Sequence, residues 1–236
     1  EMGYQGVGLS EGLDVMSGKK KMTRLPVVIT FDDGFRDFHT SAFPALRRHN
    51  FSATMYLPTA FIGDSRRSFK SRECLTWNEV TELHENGIEF GSHTVNHPRL
   101  TDLGWSDIDT ELRQSKDSIE CRLGCSVSAF GYPYAFPQAD KSFTRRFNEL
   151  LAAIGYQSCA TTTIGRASFK HDILQLPRLP INTDDDRSLF IAKMDGAYDW
   201  AGVPQSLKKR ITRFLRSDYN RTKLDCSAEI LPRSKS

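Results

Sequence analysis

The chain has 236 residues, of which 39% are hydrophobic and 26% charged, and these values indicate a globular protein of one domain with a substantial core, or of at most two small domains. A net charge of only +3, with no nucleic-acid motif beside the late cluster of Lys and Arg, argues against a nucleic-acid-binding protein. No apolar run reaches the ~18 residues that a transmembrane segment requires. Five cysteines without a regular spacing argue against a disulfide scaffold.

The apolar pattern predicts alternating helices and strands. Residues 1–24 are predicted to form a short helix over 10–16 and a basic linker, and the β-branched run 26–31 is typical of a strand buried on both faces. A capping box, Thr76 with Glu79, starts a helix that ends before Gly87. The remaining patterns predict strands over 52–57, 88–91, 127–130, 157–161 and 174–179, and helices over 42–49, 77–86, 106–124, 143–154, 187–194 and 205–215.

This alternation predicts βα units around a parallel sheet, in a domain over residues 25–216 that is followed by an irregular tail over 217–236. The chemically active side chains lie at or just after predicted strand ends: Asp32 and Asp33, His93 and His97, Tyr134, and Arg178. In a parallel barrel these strand ends converge on one face, which is where such folds build active sites.

Asp32 and Asp33 are neighbours at the end of a strand, so their side chains point in roughly opposite directions. One carboxylate can then bind a metal ion while the other acts on a water molecule as a general base. An ordinary turn is the alternative, because Asp-Asp-Gly is common in turns.

His93 and His97 favour the metal interpretation. Two imidazoles four residues apart can meet one ion, and with one carboxylate they leave positions open for water and substrate. Zn²⁺ or a similar divalent ion suits these ligands, and such an ion lowers the pKa of its water toward ~7 and polarises a carbonyl. The competing interpretation is two unrelated histidines, one of them in the core.

Four segments resemble the motifs of one family, the polysaccharide deacetylases, also called the NodB-homology family or carbohydrate esterase family four. Residues 30–34 (Thr-Phe-Asp-Asp-Gly) and 92–97 (Ser-His-Thr-Val-Asn-His) resemble its first two motifs. Residues 130–134 (Phe-Gly-Tyr-Pro-Tyr) resemble its third motif in a Tyr-Pro-Tyr variant, and residues 176–178 resemble the Leu-Pro-Arg element of that branch. The resemblance covers about residues 4–195.

The resemblance implies a distorted (β/α) barrel, usually seven-stranded, and a hydrolase that removes N-acetyl groups from N-acetylhexosamine units of a glycan. It implies that Asp33, His93 and His97 bind the metal ion and that Asp32 is the base. Zn²⁺ is the expected metal, with Co²⁺, Ni²⁺ or Mn²⁺ as alternatives.

The resemblance also implies roles for later residues. The backbone N–H of Tyr134 helps to stabilise the oxyanion, Arg178 pairs with Asp32, and Pro133 fixes the loop that presents Tyr134. Tyr132 and Pro133 are expected beside the substrate. Trp105, which is predicted in the loop after the His pair, is the candidate for stacking on a sugar.

The sequence departs from the family in two places. The late Leu-x-His motif, whose histidine serves as general acid, is absent, and Gly131 stands where the usual third motif has an arginine. Three interpretations of the missing acid remain: His171 replaces it, Asp32 both takes and returns the proton, or the activity is weak or missing.

Two other functions compete with N-deacetylation. A related barrel could hydrolyse another non-peptide C–N bond, and a glycan-binding homologue could have lost catalysis. An acetylated carbohydrate is the expected partner, and the sequence does not indicate the oligomeric state. The absence of a visible secretion signal and the unpaired cysteines favour the cytoplasm.

Overall fold

A computed structural model describes residues 3–199. The predicted helix over 205–215 and the predicted tail lie outside the described residues. The strands are β1 (Tyr4–Val7), β2 (Leu25–Val28), β3 (Thr30–Phe31), β4 (Thr54–Leu57), β5 (Ser68–Phe69), β6 (Arg72–Glu73), β7 (Glu89–Ser92), β8 (Ala129–Gly131), β9 (Ser158–Ile164) and β10 (Leu176–Arg178). The α-helices are α1 (Leu9–Met16), α2 (Phe43–Arg48), α3 (Trp77–Glu85), α4 (Trp105–Leu123), α5 (Lys141–Ile154) and α6 (Arg187–Met194).

The main sheet is parallel throughout and curls into half a barrel, with strand order β10-β9-β8-β7-β4-β3. The described residues therefore supply six of the seven strands that the family resemblance implies. Strand β1 does not join this sheet but pairs in parallel with β2 in a two-stranded sheet, and only Ile29 separates β2 from β3. The predicted βα alternation and parallel sheet are confirmed.

The helix ends follow local rules that the sequence shows. Thr76 and Glu79 form the predicted capping box, in which each side chain accepts a hydrogen bond from the other residue's backbone N–H. Helices α4 and α5 end at Gly124 and Gly155, which adopt left-handed conformations that are easy for glycine. None of the helices between residues 3 and 199 is both long enough and apolar enough to cross a membrane.

Two apolar layers lie on opposite faces of the main sheet. The larger contains buried side chains such as Met55, Phe90 and Phe147 and packs between the sheet and the outer helices. The smaller contains Tyr56, three residues of α1 (Leu9, Leu13 and Met16) and four strand residues (Val28, Ala129, Ala160 and Leu176). Helix α1 is thus part of the inner core rather than a separate appendage.

Glu89 fixes the start of α1. Its carboxylate accepts hydrogen bonds from the backbone N–H of Ser10 at 3.0 Å and from the Ser10 hydroxyl at 2.8 Å. A carboxylate at a helix N-terminus satisfies an otherwise unpaired donor and interacts favourably with the helix dipole.

Tyr56 occupies the space above two glycines on neighbouring strands. Its ring is fully buried, and a Cβ added at Gly91 or Gly131 would come within 2.7 Å or 2.6 Å of that ring. A side chain at position 131 therefore cannot coexist with the Tyr56 ring in its present place. This explains physically why the third motif carries glycine where the family usually has arginine.

Gly131→Ala is expected to lower the free energy of unfolding by about 1–3 kcal/mol, because the added methyl group overpacks a closed core. Urea unfolding monitored by circular dichroism measures this change. Gly104→Ala is a matched control, since the nearest side-chain atom to its new Cβ would be 3.6 Å away. Equal stability of Gly131→Ala and the unmodified chain would contradict the packing argument.

Two features of the fold were not predicted. Residues 4–7 were assigned to a helix-and-linker segment, but they form β1, whose stability comes from pairing with the distant β2. Strands β5 and β6 form an antiparallel hairpin of two residues each, which is too short to show an alternating pattern. Its turn residues, Lys70 and Ser71, have φ of 50° and 61° without the glycine or asparagine that signals such turns.

Candidate metal centre and catalytic carboxylate

The predicted site residues converge at the carboxyl ends of the parallel strands. Asp32 and Asp33 follow β3, His93 follows β7, and Arg178 ends β10 on the far side of the sheet. The structure brings these side chains within contact distance, as the barrel geometry predicts.

The backbone turns sharply at Asp33. Asp33 and Gly34 both have positive φ, 71° and 63°. A left-handed conformation is uncommon for a residue with a side chain, although Asp tolerates it better than most. The turn separates the two carboxylates, so that Asp32 faces Arg178 and Asp33 faces the two imidazoles.

Asp33, His93 and His97 form a compact set of donor atoms. The Nε2 atoms of His97 and His93 lie 3.2 Å and 3.7 Å from Oδ1 of Asp33, and the three ligand atoms lie within 4.8 Å of one another. One carboxylate oxygen and two imidazole nitrogens are a donor set that suits Zn²⁺. The residues therefore fit a divalent metal ion.

Surrounding groups prepare His93 and Asp33 as ligands. The Nδ1–H of His93 donates to the carbonyl of Gly131 at 2.6 Å, which leaves Nε2 as the free lone pair. Burial of the His93 ring lowers its pKa, so the neutral, ligating form is favoured. Burial raises the pKa of Asp33, but hydrogen bonds from His97 and Lys70 outweigh it and bring the pKa to about 2.

The loop between the two histidines is held from helix α4. The carboxylate of Glu111 accepts the backbone N–H groups of Val95 at 2.8 Å and Asn96 at 2.9 Å, and the Thr94 hydroxyl accepts the N–H of His97 at 3.0 Å. These bonds support a loop in which Thr94 and His97 have positive φ. Glu111 therefore positions His97, and nothing in the sequence distinguished it from the other acids of α4.

Asp32 and Arg178 form a bidentate ion pair. The guanidinium donates to the two carboxylate oxygens at 2.7 Å and 3.0 Å, and its Nε–H donates to the carbonyl of Thr161 at 3.0 Å. Burial raises the pKa of Asp32, but the charge and hydrogen bonds of Arg178, together with His93, outweigh it and hold the pKa below its usual range. The Asp32 side chain is still 34% exposed, so a water molecule can reach it while it is ionised.

A cavity of about 390 Å³ opens beside Asp32. Its walls include the rings of Phe31, Phe35 and Phe38, and an ion pair between Asp37 and Arg72 lies at its side. Of the four residues Asp32, Asp33, His93 and His97, Asp32 is the one that lines this cavity.

The profile of the polysaccharide deacetylase family matches residues 19–159, which is more than half of the chain and includes Asp32, Asp33, His93 and His97. The chain belongs to the polysaccharide deacetylase family. The match confirms the family resemblance that the sequence motifs indicated, and the fold agrees with it.

Two curated relatives illustrate the similarity of this chain to known members of the family. The Bacillus subtilis protein YxkH, whose name places it among polysaccharide deacetylases, is 29% identical over 200 residues, covering 83% of this chain and 64% of that protein. The poly-beta-1,6-N-acetyl-D-glucosamine N-deacetylase of Staphylococcus epidermidis is 26% identical over 187 residues, covering 75% and 62%. The chain thus spans just under two thirds of the length of these two curated relatives.

Among solved structures, the Streptococcus pyogenes deacetylase PplD in complex with acetate superposes with a TM-score of 0.70 at 26% identity. The match covers 81% of this chain and 80% of that chain. It supports the barrel-like fold independently of the sequence motifs.

Tyr134 lies at the mouth of the candidate site. Its ring is exposed and meets the ring of His97 edge-on at a centroid distance of 4.7 Å. Its φ of 56° and a hydrogen bond from the Thr162 hydroxyl to its carbonyl, at 2.9 Å, define the conformation of the loop.

The predicted substrate contact of Tyr132 is corrected by the structure. Its side chain is only 1% exposed and packs against Phe136 and Phe147, at centroid distances of 4.9 Å and 5.4 Å. Tyr132 therefore belongs to the core, and Pro133 beside it is also buried. Alternation along the strand, continued from buried Phe130, would have indicated a ring at position 132 buried in the same layer as Phe130.

Trp105 packs against neighbouring side chains, and His171 is exposed to solvent. Trp105 was expected in a loop but is the first residue of α4, where its ring packs against Phe143 at 5.1 Å and beneath the guanidinium of Arg146. His171 is exposed, and its Nδ1 accepts the backbone N–H of Ser168 at 3.1 Å.

Lys70, like Glu111, is a functional candidate that no sequence motif indicated. Its ammonium group donates to Oδ2 of Asp33 at 3.0 Å, although the two residues are 37 positions apart. The unpredicted hairpin β5–β6 places it there, so no local pattern could have indicated the contact.

Proposed function

We propose that this polysaccharide deacetylase is a metal-dependent hydrolase that removes N-acetyl groups from N-acetylhexosamine units of a glycan or glycan precursor. One observation carries the proposal. The donor atoms of Asp33, His93 and His97 lie within 4.8 Å of one another. A second carboxylate, that of Asp32, follows the same strand and is paired with Arg178 instead.

The two carboxylates have the separate environments that amide hydrolysis requires. A divalent ion held by Asp33, His93 and His97 supplies Lewis acidity, which polarises the amide carbonyl and lowers the pKa of water. Asp32, ionised beside Arg178, accepts the proton of the attacking water. The backbone N–H of Tyr134 stabilises the negative charge that develops on the carbonyl oxygen, as the family resemblance implies.

The proton for the leaving amine is assigned to Asp32 as well. The proton that Asp32 takes from water passes to the nitrogen as the C–N bond breaks, so the carboxylate ends each turnover ionised. This assignment needs no second acid. It agrees with the position of His171, which is exposed and hydrogen-bonded to Ser168 within its own loop.

The relatives and the cavity support an acetylated sugar as substrate. One relative is named for poly-beta-1,6-N-acetyl-D-glucosamine, and the cavity of about 390 Å³ beside Asp32 offers space for a neighbouring sugar unit. Zn²⁺ is the proposed metal because a carboxylate and two imidazoles suit it, with Co²⁺, Ni²⁺ and Mn²⁺ as alternatives. The cytoplasmic location stays a prediction.

The substrate class is tested by acetate release from a defined panel. The purified 236-residue chain, loaded with Zn²⁺, is incubated with β-1,4- and β-1,6-linked N-acetylglucosamine oligomers, with cyclic ureides and with small acyclic amides. We expect acetate and free amine from at least one of the two sugar series. Hydrolysis of the ureides or small amides alone, or glycan binding without acetate release, would instead support one of the competing functions.

A further inference from the structure

The carboxylate of Asp33 has a different partner at each oxygen. Oδ1 faces the two imidazoles, at 3.2 Å from Nε2 of His97 and 3.7 Å from Nε2 of His93. Oδ2 accepts a hydrogen bond from Nζ of Lys70 at 3.0 Å. Oδ2, the oxygen that does not face the histidines, is therefore already hydrogen-bonded to the Lys70 ammonium group.

The hairpin β5–β6 fixes Lys70 in this position. The ring of Phe69, next to Lys70, stacks on Phe61 at a centroid distance of 4.2 Å and lies 5.1 Å from the ring of His97. On the other strand, Arg72 lies over the ring of Phe35 and pairs with Asp37. The hairpin is thus packed onto the loops that carry both the Asp pair and the His pair.

Aromatic faces also restrain the ammonium group itself. Nζ of Lys70 lies 4.6 Å from the ring centroid of Phe69 and 5.8 Å from that of Tyr134, distances at which a cation is attracted to an aromatic ring. A free surface lysine would lose side-chain entropy on forming an exposed ion pair and gain little. Here packing has already limited the freedom of the side chain.

We propose that Lys70 is a positioning residue that commits Asp33 to binding the metal ion through Oδ1 alone. A carboxylate with two free oxygens can chelate an ion and fill two coordination positions, whereas a carboxylate engaged on one side fills only one. Lys70 thereby keeps a position open for the substrate carbonyl, as hydrolytic metal sites require. The inference rests on the proposed function only in taking Asp33, His93 and His97 as the metal ligands.

Lys70→Met tests this role, because methionine keeps much of the side-chain volume while removing the charge and the donor. Metal affinity is measured by competition with a chelator, using Zn²⁺ alone, and the coordination number is read from the visible absorption of the Co²⁺-loaded protein. In this variant both oxygens of Asp33 should bind the ion, and no nearby positive charge should repel it. Zn²⁺ should therefore bind more tightly, with Kd lowered by about tenfold. The Co²⁺ absorption should weaken, and kcat should fall.

Two variants serve as controls. Lys70→Arg keeps a cation and donors and should stay close to the unmodified chain in the Co²⁺ spectrum. Lys20→Met removes a lysine that pairs with Glu11 in the N-terminal region and should change neither reading. Thermal unfolding of the metal-free proteins establishes that each variant folds.

The outcomes separate this inference from the proposed function. An unchanged Co²⁺ spectrum in Lys70→Met, or weaker Zn²⁺ binding than in the unmodified chain, would overturn the role of Lys70 and leave the metal site standing. Failure of the unmodified chain to bind Zn²⁺ would overturn the proposed function itself.

Discussion

Asp33→Ala and His97→Ala are each expected to abolish stable metal binding and, with it, acetate release. Loss of a supporting hydrogen-bond partner typically costs 10–100-fold in metal affinity, so removal of a direct ligand should cost more than about 100-fold. Equilibrium dialysis against Zn²⁺, with metal content read by atomic absorption, measures the loss.

The matched control for these variants is His39→Ala. His39 is an imidazole that pairs with Glu82 away from the predicted ligands, and its removal should leave one Zn²⁺ per chain. If Asp33→Ala or His97→Ala retained the Zn²⁺ stoichiometry and affinity of the unmodified chain, the assignment of these ligands would be wrong.

Asp32→Asn is expected to separate metal binding from turnover. The amide keeps the size of the side chain and one acceptor for Arg178, but it cannot take a proton from water. We expect one Zn²⁺ per chain to be retained, with affinity lowered by about tenfold because a negative charge beside the ligands is lost. We expect kcat to fall by about 10²–10⁴, the usual contribution of general acid–base catalysis. Steady-state acetate release and chelator competition measure the two quantities on the same sample.

His171→Ala accompanies Asp32→Asn, because it tests the assignment of the acid. If Asp32 returns the proton, His171→Ala should keep its kcat and its pH profile. A large loss of kcat in His171→Ala would move the acid role to that residue. Near-normal turnover in Asp32→Asn would contradict the role of Asp32 as base.

The sequence was most informative about the fold where local chemistry decides it. The capping box at Thr76 and Glu79 and the glycines that end α4 and α5 act within a few residues, so the sequence shows them directly. Strand β1 and the hairpin β5–β6 depend on partners far along the chain or are too short for a pattern. The sequence therefore could not indicate them.

The candidate site shows the same division between local and distant contacts. Asp32, Asp33, His93 and His97 lie in contiguous motifs, and their grouping follows from the parallel strand order. Lys70 and Glu111 reach the site from a hairpin and from the outer helix α4. Each of these two side chains hydrogen-bonds to a motif that lies far from it along the chain, so the contact exists only in the folded protein.

The pairing of Asp32 with Arg178 and the glycine at position 131 belong to one arrangement. The buried ring of Tyr56 takes the volume that a side chain on Gly131 would need, and the guanidinium carbon of Arg178 lies 5.7 Å from the centroid of that same ring. The arginine beside the base thus comes from β10 rather than from the third motif. The Leu-Pro-Arg element indicated this arginine, but the reason for the glycine is visible only in the packing.

The central claim is that Asp33, His93 and His97 hold a divalent ion that acts with Asp32 in removing acetyl groups from a glycan. The most direct measurement is acetate release from N-acetylglucosamine oligomers by chelator-stripped protein, before and after addition of one equivalent of Zn²⁺. We predict no detectable release from the stripped protein and recovery on addition of Zn²⁺, with no recovery in Asp33→Ala. Full acetate release by protein shown to contain no metal would contradict the claim.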